Sequence, residues 1–277
     1  MITEDRVCFG GVHTRRLSVA GSGAPIALLH GFADSADTWR GVLTAFHAAG
    51  RAAFAVDMVG YGHADPRKPG PIMPQLDAFI DATIAATGDV ILMGNSLGAC
   101  VSVRAASRGS ENIRGVIAVD EPILASHSLM RLSRGRADPF RVLEHRMPIP
   151  KRLYHSAIRG TFARLLYADP AKADPRVLAS FVGQVPDQAH LRNLLADARM
   201  IALETAAGYD SERVTCPLLV IHGRKDRVIP VHASRRLQES VPASALVVLP
   251  NSGHCPQLDD PCELARHVMQ FIDRGGK

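Results

Sequence analysis

Short apolar runs recur along the chain, separated by stretches with helical spacing. PIALLHG at 25–31, AAFAVDMVG at 52–60, DVILMG at 89–94, GVIAVDEP at 115–122, PLLVIHG at 217–223 and ALVVLP at 245–250 are rich in Val, Ile and Leu and bounded by turn residues. Continuous apolar runs of this length predict strands buried on both faces. Between them, 38–49, 75–87, 97–108, 231–241 and 261–273 carry helix-compatible spacing, and Gly50, Gly88 and Gly109 stand where helices should stop. Strand and helix alternate, which predicts a mainly parallel sheet. Before the first run, VCFGGV and RRLSVA, within about 5–20, predict two antiparallel edge strands joined by a tight turn.

The alternation stops between about 123 and 212. Helical patterns at 126–136, 157–167 and 189–206 are separated there by prolines at 139, 148, 150, 170, 175 and 186. A helical insertion at 123–211 is therefore expected between two parts of one α/β core, 1–122 and 212–277. No internal repeat or low-complexity linker sets it apart, so it should sit on that core.

Composition adds boundaries and little chemistry. The 277 residues suit one large core with an insertion, and 47% hydrophobic with 21% charged residues describes an ordinary globular protein. No leader-like segment opens the sequence and no run approaches the length of a bilayer span, so a soluble cytoplasmic protein is expected. Cys8, Cys100, Cys216, Cys255 and Cys262 show no metal-ligand spacing and read as reduced, mostly buried thiols. The net charge is +5, but nine Lys or Arg lie between Arg131 and Arg164 against Asp138 and Glu144 alone. A solvated helical face accounts for this simply; an anionic small-molecule substrate is the functional reading. No nucleic-acid module accompanies the segment.

The sharpest local signal is Gly94-Asn95-Ser96-Leu97-Gly98, set directly after one strand pattern and before a helical one. A serine on such a turn is presented at the sheet's end, and the flanking glycines let strand and helix approach closely. Its hydroxyl needs a base to become a nucleophile. His254, in Asn251-Ser252-Gly253-His254, follows the last strand pattern; Asp226, in Gly223-Arg224-Lys225-Asp226, follows the one before. Ser, Asp and His thus occur in the order that a hydrolase of this architecture requires. Asp120 and Glu121, at the end of the 115–122 run, compete with Asp226 for the acid's role. The backbone N–H groups of Phe32 and Leu97 are the expected oxyanion donors. Trp39 and Asn95 are candidate pocket residues.

These motifs, together with Asp57-Met58-Val59-Gly60-Tyr61-Gly62, resemble the α/β-hydrolase superfamily over about 16–122 and 212–273. The resemblance implies an eight-stranded sheet, a helical cap after the sixth strand roofing the active site, and no cofactor or metal. It points to a serine esterase acting on an ester, thioester or lactone. Asn95 beside the serine is also similar to C–C bond hydrolases of aromatic ring cleavage. Two departures stand against that: Ala33-Asp34-Ser35 where those enzymes usually carry Gly-Pro-Gly, and Cys255 where a Trp is common. A non-catalytic reading, a small-molecule receptor on the same fold, remains beside both.

Overall fold

The structure, a computed structural model, describes residues 1–122, 150–208 and 210–275. The expected helix at 126–136 and most of the basic segment 131–164 lie outside the described residues. β1 (Thr3–Phe9), β2 (Val12–Val19), β3 (Ser22–Leu29), β4 (Arg51–Val56), β5 (Val90–Asn95), β6 (Ile113–Val119), β7 (Leu218–Gly223) and β8 (Ser244–Leu249) form one sheet. Its order is β1-β2-β4-β3-β5-β6-β7-β8. β2 runs antiparallel to both neighbours and the remaining pairs are parallel.

α1 (Arg40–Ala48), α2 (Ile72–Thr87), α3 (Leu97–Ser107), α7 (His232–Ser240) and α8 (Pro261–Asp273) cover the two faces, and α4 (Lys151–Leu166), α5 (Pro175–Gln184) and α6 (Gln188–Glu204) form the helical region between β6 and β7. Successive strand side chains leave on opposite faces. Ala27 and Leu29 accordingly join an apolar cluster with α2, α3 and α7, whereas Ile26 and Leu28 join another with α1 and α8. The central strands are buried on both sides, which is why their sequences are continuous apolar runs and not alternating ones.

Several expectations are corrected. The run VCFGGV is not one strand: Gly10 and Gly11, at φ 57° and 82°, form the turn itself, so β1 ends at Phe9. Of the two strands, β1 alone is at the edge, because β2 also pairs with β4. In the helical region between β6 and β7, prolines open elements as well as separating them. Pro150 caps α4 and Pro175 is the first residue of α5, where a missing N–H costs nothing. Among the cysteines, Cys8 and Cys262 are exposed, Cys216 is half-buried, and only Cys100 and Cys255 are buried. No helix among the described residues is long and apolar enough to cross a membrane.

Candidate active site

The elbow is built as its glycines require. Ser96, between β5 and α3, has φ 53° and ψ −114°, a left-handed conformation rare for a side chain beyond glycine. Its N–H donates to the Val119 carbonyl at 2.8 Å, anchoring the turn to β6. A Cβ on Gly98 would fall 2.1 Å from the Leu29 carbonyl oxygen, so only glycine lets α3 start this close to β3. Leu97 opens α3, where N–H groups have no intrahelical acceptor.

Asp226 and His254 meet after β7 and β8. His254 Nδ1 lies 2.8 Å from Asp226 Oδ2, with the two side chains 6% and 1% exposed. The other Asp226 oxygen accepts the N–H groups of Val228 and Ile229 at 2.6 and 2.9 Å. Burial works to raise this carboxyl, but the His254 charge and hydrogen bond, with the two N–H groups, outweigh it and hold it below the usual range. The loops are joined by Arg224 N–H to Leu249 and Lys225 N–H to Ser252. Asn95 ties them to the elbow: its Nδ2 donates to the His254 carbonyl at 2.9 Å, and its Oδ1 accepts Gln257 Nε2 at 3.1 Å.

The loop after β3 supplies the third wall. A Cβ on Gly31 would stand 3.7 Å from Ser96 Cβ, which puts Gly31-Phe32 against the elbow. His30 holds this loop: Nδ1 lies 2.8 Å from the Gly31 carbonyl, and Nε2 accepts the Met58 N–H at 2.9 Å. Nδ1 therefore carries the proton, and complete burial lowers the pKa further toward the neutral ring. Asp57 braces the loop from the other side by accepting the N–H groups of Ala36 and His63 and a buried Arg15 guanidinium at 3.0 Å. Asp34 is buried without a cation. Burial pushes it up to about 7, against hydrogen bonds from Ser35, Thr38 and Gly31.

Ser96, Asp226, His254, Phe32 and Leu97 thus gather at the carboxyl ends of the parallel strands. Of the two candidate pocket residues, Trp39 is fully buried in the cluster with α1 and α8, and Asn95 is buried beneath the His254 loop. Two groups escaped sequence reading. His222, on β7, lies between Asp120 and Asp226, and a carboxylate oxygen of each comes with a ring nitrogen of His222 within 4.8 Å. That spacing could hold a metal ion, but Asp226 Oδ2 serves His254, and the His222 nitrogens face Ser234 Oγ and the Ile229 carbonyl. The His-Gly end of β7 was the visible signal, hidden because an apolar strand normally buries a histidine only as packing. The second group joins the helical region to the Asp226 and His254 loops. Arg227 Nη1 donates to the Arg164 and Tyr167 carbonyls and Nη2 to that of Ala168, while Asp259 accepts the N–H groups of Ala168 and Gly253. Arg227 is next to Asp226 in sequence, the one signal that could have found it.

Residues 26–267 match the model of the alpha/beta hydrolase family. The chain is 27% identical to a 2-hydroxy-6-oxo-6-(2'-aminophenyl)hexa-2,4-dienoic acid hydrolase of Metapseudomonas resinovorans, covering 96% of this chain and 89% of that one. It is 24% identical to a pimeloyl-[acyl-carrier protein] methyl ester esterase of Vibrio vulnificus, over 92% and 96%. Among solved structures, a serine hydrolase involved in carbazole degradation superposes with a TM-score of 0.77 at 21% identity, covering 99% of this chain and 100% of that one.

Proposed function

The chain belongs to the alpha/beta hydrolase family, and from that premise we propose a serine hydrolase that cleaves a carboxylic ester, thioester or lactone through an acyl-enzyme on Ser96. The observation that carries this reading is the buried His254–Asp226 pair at 2.8 Å, tied through Asn95 to the turn that bears Ser96. With Nδ1 facing a carboxylate, the proton sits on Nδ1 and Nε2 is free to act as base. His254 takes the Ser96 proton as Oγ attacks the carbonyl carbon, and the N–H groups of Phe32 and Leu97 receive the oxyanion. The imidazolium, stabilised by the Asp226 carboxylate, gives its proton to the leaving group. Water, deprotonated by His254, then releases the acid and restores the serine. The helical region 123–211 acts as a cap over this site, and the basic segment within it favours an anionic small molecule. Soluble, cytoplasmic action without a cofactor fits this chemistry.

A second reading is C–C bond hydrolysis of a ring-cleavage-type diketone acid by the same triad. The Metapseudomonas resinovorans relative favours it by its name, as does a 2-hydroxymuconate semialdehyde hydrolase of Pseudomonas putida at 26% identity. Turnover of p-nitrophenyl esters of increasing acyl length, with Ser96→Ala alongside, decides between them. Ester cleavage that falls about 10⁴-fold or more in the variant supports the esterase. Cleavage of a vinylogous diketone acid with no ester turnover moves the assignment to the second reading. Ligand-induced stabilisation without product would mean a receptor.

A further inference from the structure

Behind the His254–Asp226 pair lies a second carboxyl with no cation among the described residues to answer it. Asp120 follows β6 in a left-handed conformation, φ 49°, which a non-glycine residue holds only when its surroundings force it. Its N–H donates to the Ile221 carbonyl and its Oδ1 accepts the Gly223 N–H at 2.9 Å. Oδ2 is buried and has no hydrogen-bond partner among the described residues. His222 Nδ1 approaches Oδ1 at 3.2 Å, but this ring does not supply a charge. Nε2 faces the Ile229 carbonyl at 3.1 Å, a group that only accepts, so Nε2 carries the hydrogen, and Nδ1 accepts from Ser234 Oγ at 2.8 Å. Burial also disfavours the imidazolium.

Two carboxyls therefore share one buried cluster, and they differ in how many donors each commands. Asp226 accepts from His254, Val228 and Ile229; Asp120 accepts from Gly223, with His222 neutral beside it. The better-supplied group keeps the negative charge and the other keeps the proton. Asp259 and the buried Cys255 thiol stand in the same surroundings and add no positive charge.

Resting on the serine-hydrolase reading, we propose that Asp120 is a neutral acid whose Oδ2–H donates to the Asp226 carboxylate, making Asp120 a positioning residue for the triad. This places a donor on the one orphaned oxygen of the cluster and gives Asp226 a fourth, side-chain donor that fixes its plane toward His254. Burial and the Asp226 charge both raise the Asp120 carboxyl well above its ordinary range, in the same direction.

Asparagine is the test, because its Oδ1 can take the Gly223 N–H while its Nδ2 donates where the acid proton would. Asp120→Ala should lower kcat about tenfold with KM within about twofold, the mark of lost orientation and not of lost binding. Asp120→Asn should recover kcat to within about threefold of the parent. On the unreacted protein at neutral pH, infrared difference spectroscopy of parent minus Asp120→Asn should show a protonated carboxyl band. Asparagine as damaging as alanine, or no such band, would overturn the proposal. The band is read without turnover, so it tests Asp120 even if Ser96→Ala shows that the hydrolase reading is wrong or if the alanine variant fails to fold.

Discussion

The sheet with its covering helices and the helical region of α4, α5 and α6 differ in how much apolar burial holds them in place. In α3, nine of eleven residues are buried, whereas α6 buries none of its seventeen and α4 only Tyr154, Ala163 and Leu166. Leu153, Leu165, Met200 and Leu203 stay exposed on α4 and α6. The helical region meets the core through a small apolar cluster, in which Ala163, Leu166, Tyr167, Leu178 and Phe181 gather with Cys255, and through polar ties. Arg227 and Asp259 bind its chain near Ala168, Arg67 pairs with Asp197, and Glu204 accepts the N–H groups of Ile72 and Met73 at the start of α2. Extensive apolar burial holds an element in one place against many alternatives, whereas a small cluster with a few part-buried hydrogen bonds holds it less strongly. The core therefore fixes the loops that carry Ser96, Asp226 and His254, and the helical region is joined to it by ties that touch the Asp226 and His254 loops themselves.

The largest expected effect comes from adding one methyl group to each region. Gly98→Ala puts a Cβ against the Leu29 and His30 backbone, which cannot yield. It should cost about 5 kcal/mol of stability or prevent folding. Gly160→Ala, inside α4, meets nothing within 4 Å and should stabilise by about 0.5–1 kcal/mol through helix propensity. Denaturant unfolding of the pair reads both signs. Equal losses would mean that the helical region is packed as tightly as the core, and the contrast would fail.

The same contrast explains what was legible in the sequence. Runs such as PIALLHG and PLLVIHG announce strands because burial on both faces leaves no other composition, and Gly94-Asn95-Ser96-Leu97-Gly98 announces the elbow because the backbone approach excludes any other residue at Gly98. The triad candidates follow from strand ends. Contacts between distant segments leave no such trace. Arg227 reaches carbonyls some 60 residues away, and a carbonyl is offered by every residue type. The position of Trp39 in the sequence does not tell which way a short 3-10 turn aims its side chain into the cluster with α1 and α8. The strand pattern at 217–223 does not reveal that Asp120 and Asp226 flank His222.

A smaller effect separates the regions by pH. Asp34 titrates at about 7 in the folded core, above its ordinary 3.8, because burial disfavours the carboxylate. The folded state thus binds more protons than the unfolded state between the two values. Stability from this group is complete below about 4 and is lost as pH rises through about 7, an effect of about 2–4 kcal/mol. Asp226, shifted downward, acts oppositely, and only as pH falls below the ordinary carboxylate range. In the helical region Asp187 is exposed and lowered by His190, so it contributes nothing in the window that Asp34 governs. Unfolding free energies should decline from pH 5 to pH 7.5 for the parent, and Asp34→Asn should make that decline shallower whatever it does to absolute stability, the remainder coming from Asp120, whose carboxyl burial also raises. An unchanged slope would put the pH response elsewhere.

The smallest effect on stability, and the finest test of the contrast, is Arg227→Ala. The side chain is exposed, so its three hydrogen bonds to Arg164, Tyr167 and Ala168 carbonyls contribute about 1 kcal/mol or less, and the melting temperature should move by only about 2–3 °C. Activity should respond more. Those carbonyls end α4 and lead to the backbone packed on Gly253, where a Cβ would lie 2.6 Å from the Ala168 nitrogen. Releasing them loosens the support on the His254 loop, and a misplacement well under 1 Å there should lower kcat by about three- to tenfold. Arg227→Lys should restore little, because an ammonium cannot fork to three carbonyls as a guanidinium does. A variant that loses several kcal/mol would show the helical region to be part of the folding core. One that loses neither stability nor kcat would show that Asp259 and the Cys255 N–H, which donates to the Leu166 carbonyl at 3.0 Å, hold the junction without it.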